Sequence, residues 1–242
     1  MVEIRHAADR GVAEHGWLSS RHTFSFAHYL DPEQAGFSDL LVINDDRVAA
    51  GQGFGRHPHR DMEIFSYVLE GALEHRDSMG TGSTIVPGDV QLMSAGSGVA
   101  HSEFNPSPND PVHFLQIWIV PSESALGAPP RYQQMHVGSE EKQGKLRLML
   151  SPDGADESLT LRQDARVYAA RLDGDEAASL TLASERYAYV HVAQGEVTLN
   201  GIRLSAGDGV KLRSETSLTL TDGKQAEVLV FDLRGRETPR MR

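Results

Sequence analysis

The stretch "FGRHPHRDME" (54–63) sets His57 and His59 two residues apart with Pro58 between them. Further along, "GSGVAHSEFNP" sets His101 and Glu103 at the same spacing. Side chains at i and i+2 of an extended chain leave the same face. Each pair therefore points one way. Two such strands facing each other across a small barrel would bring three imidazoles and a carboxylate together. Neutral imidazole and carboxylate suit a divalent transition metal, and four of them leave one or two positions open on a six-coordinate ion. An open position is what a catalytic centre requires. The expected ligands are His57, His59, His101 and Glu103, holding one ion per chain. Iron is the leading choice, and nickel, copper, manganese, cobalt and zinc suit the same donors.

The remainder of the chain limits the alternatives. Its 242 residues include no cysteine, which removes disulfides, thiolate zinc sites and thiol nucleophiles from consideration. The net charge of −11 argues against direct nucleic-acid binding or an anionic membrane surface, both of which call for basic patches. The first residues, "MVEIRHAADRGVAEHGW", lack the basic-then-apolar order of a signal peptide. No apolar run approaches the ~20 residues that span a bilayer. The expectation is a soluble, cytoplasmic protein.

Short apolar or alternating runs closed by glycine, proline or aspartate must position these residues. "LLVIND", "EIFSYVLEG", "VHFLQIWIVP", "YAYVHVAQGEVTLNG" and "EVLVFDL" are examples. Such spacing predicts an all-β protein of sandwich or barrel type with little helix. The pattern also repeats. "SYVLEGALEH" with "TIVPGDVQLM" is echoed by "YVHVAQGEVTLNGIRLSAGDGVKL", each with a strand, a glycine, a second strand and a Gly-Asp turn. The second copy lacks the histidine pairs. Its His191 stands alone on an apolar strand and reads as a satisfied histidine. The division expected is an N-terminal metal-binding barrel over 1–125, a connecting segment over 126–144, and a C-terminal barrel without ligands over 145–242.

"GQGFGRHPHRDMEIFSYVLEG" and "MSAGSGVAHSEFNPS" resemble the two motifs of the cupin superfamily in the form used by the pirin family. "HTFSFAHYLDP" and "LQIWIVP" fit the same family. The resemblance implies a bicupin of two stacked antiparallel barrels with metal in the first alone. It implies the four ligands already named, and quercetin 2,3-dioxygenase activity on a flavonol. The partners would be a small aromatic substrate and dioxygen, with carbon monoxide released and Glu103 serving as both ligand and catalytic base. The alternative it carries is a regulatory metalloprotein acting through a protein partner. Many cupins take their carboxylate ligand from the first motif, where Glu63 stands; here Glu63 is expected behind the ligands or at the surface. His22, Phe24 and Phe26 share parity and are candidates for one wall of an apolar, aromatic substrate pocket. Gln116 and Trp118 alternate with Leu115 and Ile117, so one of these pairs faces inward. The acidic pair at 140–141 and the basic tail at 234–242 read as solvated surface.

Overall fold

A computed structural model of the protein describes residues 1–236; most of the basic tail, 237–242, lies outside the described residues. Strands dominate, joined by turns and a few single-turn helices. The first half forms two sheets. One has four strands, in the order Gly53–His59, Val99–Phe104, Leu73–Asp77 and Gly82–Ile85. The other has seven, in the order Arg131–His136, Asp89–Ser94, Glu63–Glu70, Val112–Ile119, Leu40–Val48, Leu18–His22 and Gly11–Glu14.

The unbroken apolar runs in the sequence are strands covered on both faces, as such runs should be. In Glu63–Glu70, Ile64, Ser66 and Val68 point between the two sheets, while Phe65, Tyr67 and Leu69 point outward. Leu115, Ile117 and Ile119 of the neighbouring strand also point outward. This outer face packs on Met149, Val167, Tyr189, Leu229 and Phe231 of the second half. The second half is a nine-stranded sheet curled around its own core, which contains Val190, Val192, Leu212, Val228 and Val230. Its two longest strands, Arg186–Leu199 and Ser217–Arg234, bend together at Gly195. There φ is +71°, and a Cβ would sit 2.3 Å from the Gln225 carbonyl oxygen. Only glycine fits that bend.

Two segments lie across the division expected from the sequence. Val2–Arg5 pairs with Gly209–Arg213 in the second unit's sheet. Arg131–His136, from the stretch read as a connector, pairs with Asp89–Ser94 at the edge of the first. Each sheet thus takes an edge strand from outside its own unit, and the join is tied further by Arg234 donating twice to the buried Asp39, both at 2.8 Å.

His191 is not the satisfied histidine its setting suggested. It is fully buried between the units, and neither ring nitrogen has a protein partner. Burial, with the nearby Arg10 charge, pushes its pKa down to about 3, against the pull of Asp45 and Asp208. Asp45 is half-buried, which raises its pKa, yet His113 at 2.7 Å and Arg10 at 3.2 Å hold its carboxyl well below the usual range. Both groups act in one direction. The unfolded chain takes up a proton on His191 near pH 6.5 and the folded chain does not. The contribution of His191 should therefore be complete above pH 6.5 and fade as pH falls from there toward 3. The slope from this one group is at most about 1.4 kcal/mol per pH unit. Across that range urea unfolding midpoints should fall with pH more steeply in the unaltered protein than in His191→Leu. An equal slope in the variant would exclude His191 as its source.

Candidate metal centre

The four-stranded sheet presents the predicted ligands on its inner face. His57 lies directly opposite His101 in the register of the two strands, and His59 lies opposite Val99. Between His101 and Glu103 the register shifts, so that Glu103 faces Phe54 rather than Gly55. That bulge turns both Phe54 and His57 toward the interior, as an extra residue in a strand should. Gly53 allows the close pairing that follows, since a Cβ there would lie 2.2 Å from the Glu103 carbonyl oxygen. The imidazole rings of His57, His59 and His101 meet with centroids 4.5 to 4.9 Å apart.

The ligand nitrogens of these three histidines all lie within 4.8 Å of one another. An ion bonded at about 2.0–2.2 Å to each donor tolerates donor separations up to ~4.4 Å. The three imidazoles fit it with little movement. Glu103 belongs to an adjoining cluster with His75 and His101 at the same limit. Ser66 Oγ donates to one of its oxygens at 3.2 Å and Gln116 Nε2 to the other at 2.9 Å. Both donors come from the opposing seven-stranded sheet, so the carboxyl is fixed from across the interior. Burial pushes the Glu103 pKa up to about 7, with the two hydrogen bonds opposing. Burial and neighbouring histidines press His59 down to about 4 and His101 to about 2. A neutral imidazole is the form that binds a metal.

His75 and Asp77, absent from the sequence-level expectations, complete this arrangement. His75 Nε2 donates to the buried Asp77 carboxylate at 3.1 Å, because a carboxylate can only accept. His75 Nδ1 is left as an acceptor, and His101 Nδ1 lies 3.3 Å from it. The proton of His101 is thereby held on Nδ1. Its Nε2, buried and without a protein partner, keeps a lone pair for an ion. His75→Phe keeps the ring's bulk but removes the acceptor. It should lower metal affinity about 10–100-fold, as measured by chelator competition. Unchanged affinity would show that His101 needs no such support. The signal was present in the sequence: "HRD" (75–77) is another i, i+2 pair.

The other predicted residues divide. His22 and Phe26 line the cavity beside the three histidines, whereas Phe24 does not. The strand ends at His22, the shared parity ends with it, and Phe24 packs against Tyr189 in the inter-unit core. Glu63 also faces away. Asp61, at φ +48°, turns a corner between the two strands. Glu63 then shares a face with Phe65 and Tyr67, accepting from Ser94 Oγ at 2.9 Å and from the Arg162 backbone at 3.2 Å. Gln116 and Trp118 are the inward pair of their strand. The cavity itself is small and presents mainly apolar surface. It measures about 80 Å³, and Ser20, Asn44, Asp46 and Gln116 are among its lining residues, with Phe26, Phe54 and Trp118 as partly exposed aromatics.

Two cupin units, with every cluster of three or more candidate donors among the described residues confined to the first, define a metal-binding bicupin. Residues 4–119 match the Pirin family model, and residues 148–233 match the quercetinase C-terminal cupin domain. The chain belongs to the pirin family. It is 49% identical over 233 residues to the quercetin 2,3-dioxygenase of Escherichia coli strain K12, covering 96% of this chain and 99% of that one. It is 41% identical over 234 residues to a pirin-like protein of Caulobacter vibrioides, covering 96% and 99%. The crystal structure of the bacterial pirin YhhW from Escherichia coli in complex with nickel(II) aligns with a TM-score of 0.92 at 47% identity, over 98% of this chain and all of that one. No helix among the described residues is long and apolar enough to cross a membrane.

Proposed function

We propose that the protein is a metal-dependent dioxygenase that opens a flavonol such as quercetin and releases carbon monoxide. The observation that carries this reading is the convergence of His57, His59 and His101 beside a buried, proton-competent Glu103 at a cavity. The name of the E. coli relative supports the reaction, and the nickel(II) of YhhW favours nickel over the iron expected from the sequence.

His57, His59, His101 and Glu103 would hold the ion, which would act as a Lewis acid and lower the pKa of a coordinated hydroxyl. The chain's own residues supply the rest. Glu103 accepts the proton of the flavonol 3-hydroxyl on a carboxylate oxygen, with Ser66 and Gln116 holding it in place. The partly exposed aromatic side chains of Phe26, Phe54 and Trp118 give the flavonol rings a surface to lie against at the cavity mouth. The small cavity leaves only the chelating edge of the flavonol room to enter. Both atoms of dioxygen enter the product, two ring carbon–carbon bonds break, and the carbon between them departs as carbon monoxide. No external reductant is consumed.

The test is oxygen uptake with carbon monoxide detection, on protein loaded in turn with nickel, iron, cobalt and manganese and given quercetin. Uptake matched by carbon monoxide is the expected result. Quercetin binding without uptake under every metal would exclude the enzymatic reading and favour a regulatory role.

A further inference from the structure

One aromatic wall of the metal cavity is not placed by a strand. Trp118 and Phe54 line the cavity from paired strands, Val112–Ile119 and Gly53–His59. Phe26, the third aromatic there, lies outside regular strand. It exchanges two backbone hydrogen bonds with Tyr29, both at 2.9 Å, around a turn at Ala27 and His28. Ala27 has φ +52°, and both turn residues are exposed. The Phe26 ring meets Trp118 edge-on at 5.5 Å and His22 at 5.3 Å. Trp118 in turn meets the ring of the ligand His59 at 4.9 Å.

A turn closed by one pair of hydrogen bonds is marginal by itself. Tyr29 supplies the anchor. Its ring covers Gly11, where a Cβ would lie 2.3 to 2.7 Å from three ring carbons. Its hydroxyl accepts from Arg5 Nη2 at 2.6 Å and donates to Asp31 Oδ2 at 3.2 Å. Asp31 is tied across the turn to Ser25 by two further bonds, both at 2.8 Å. Arg5 ends the strand Val2–Arg5, which pairs with the second unit. Lys211 of that unit also donates to Gln34 Oε1 at 2.8 Å. The unit without a donor cluster among the described residues therefore grips the segment that carries Phe26.

We propose that Tyr29, anchored by Arg5 and Gly11, is a positioning residue that fixes Phe26 at the cavity and so sets how wide a ligand reaches the ion. The proposal rests on the dioxygenase reading in taking the ion as the place where substrate arrives. The cavity, about 80 Å³, is smaller than the ~150 Å³ that accommodates benzene. With Phe26 held, a narrow chelating group enters freely. A ring bonded directly to that group meets Phe26 and is slowed until the turn yields. Association is slower wherever it needs such a rearrangement. Loss of the charge-assisted bond from Arg5 lets the turn yield more often.

The test uses cobalt-loaded protein, whose visible absorption reports ligands reaching the ion, in rapid mixing with acetohydroxamate and with benzohydroxamate. The two share one chelating group and differ by a ring. Tyr29→Phe keeps the ring on Gly11 and loses the hydroxyl. It should speed benzohydroxamate association about tenfold and leave acetohydroxamate unchanged. Gly11→Ala, which displaces the tyrosine ring from beneath, should act the same way. A benzohydroxamate rate unaltered in both variants would overturn the proposal. Equal acceleration of the two ligands would also overturn it, because that reports a general loosening of the fold. A parallel quercetin assay separates the two readings. Ring-selective acceleration without quercetin oxidation removes only the flavonol. Quercetin oxidation without ring-selective acceleration removes only the role of Tyr29.

Discussion

His101→Ala should yield a folded protein that no longer retains a metal ion. His101 is shared by both donor clusters, and its Nε2 is the one imidazole nitrogen of the centre that is buried with no partner. Its removal takes away a donor and the group that His75 orients. The loss of affinity should exceed the ~10–100-fold expected for His75 itself. The fold should persist, because apolar layers around Phe114 and Ile64 and the large inter-unit core exist without the ion. Truncation of one buried ring should cost about 3 kcal/mol, in the range of other large-to-alanine changes. Elemental analysis and thermal unfolding, measured together, decide the point. Full metal content in the variant would show that His57, His59 and Glu103 suffice.

Glu103→Gln should separate binding from turnover. The amide oxygen can still face the ion and accept from Gln116 or Ser66, so metal content should largely survive. The proton acceptor is gone, and turnover should fall about 10²–10⁴-fold. Glu63→Gln is the matched control. Its amide oxygen can still accept from Ser94 and Arg162 on the far side of the strand, so both metal and turnover should be kept. Loss of metal from Glu63→Gln but not from Glu103→Gln would reverse the assignment of the carboxylates.

The convergence of His57, His59, His101 and Glu103 was legible because spacing in an extended chain is a direct statement about direction. The limit of that logic is visible in the residues it misplaced. His22 and Phe24 differ because regular strand stops between them, and nothing local in "HTFSF" marks the stop. Glu63 would share the parity of His57 and His59 only on an unbroken strand, and a positive-φ corner at Asp61 resets the count. His75 and Asp77 carried the same i, i+2 signal as the ligands, yet an isolated pair of this kind is common at strand surfaces. The lining of the cavity was hidden for another reason. Its members come from separate strands, and only the register of Leu18–His22, Leu40–Val48 and Val112–Ile119 assembles them. The two added edge strands were likewise invisible, since their partners are chosen by the assembled surface and not by neighbouring sequence.

The pairing of Val2–Arg5 with the second unit bears on how the chain is made. Val2–Arg5 is synthesised long before its partner Gly209–Arg213. Until then the first half can close around its own interior but exposes the apolar outer face that the second half covers. The protein should therefore be most vulnerable to aggregation during synthesis, with an unpaired leading strand and an uncovered sheet face, and should fold slowly for its size because its closing contacts span nearly the whole chain.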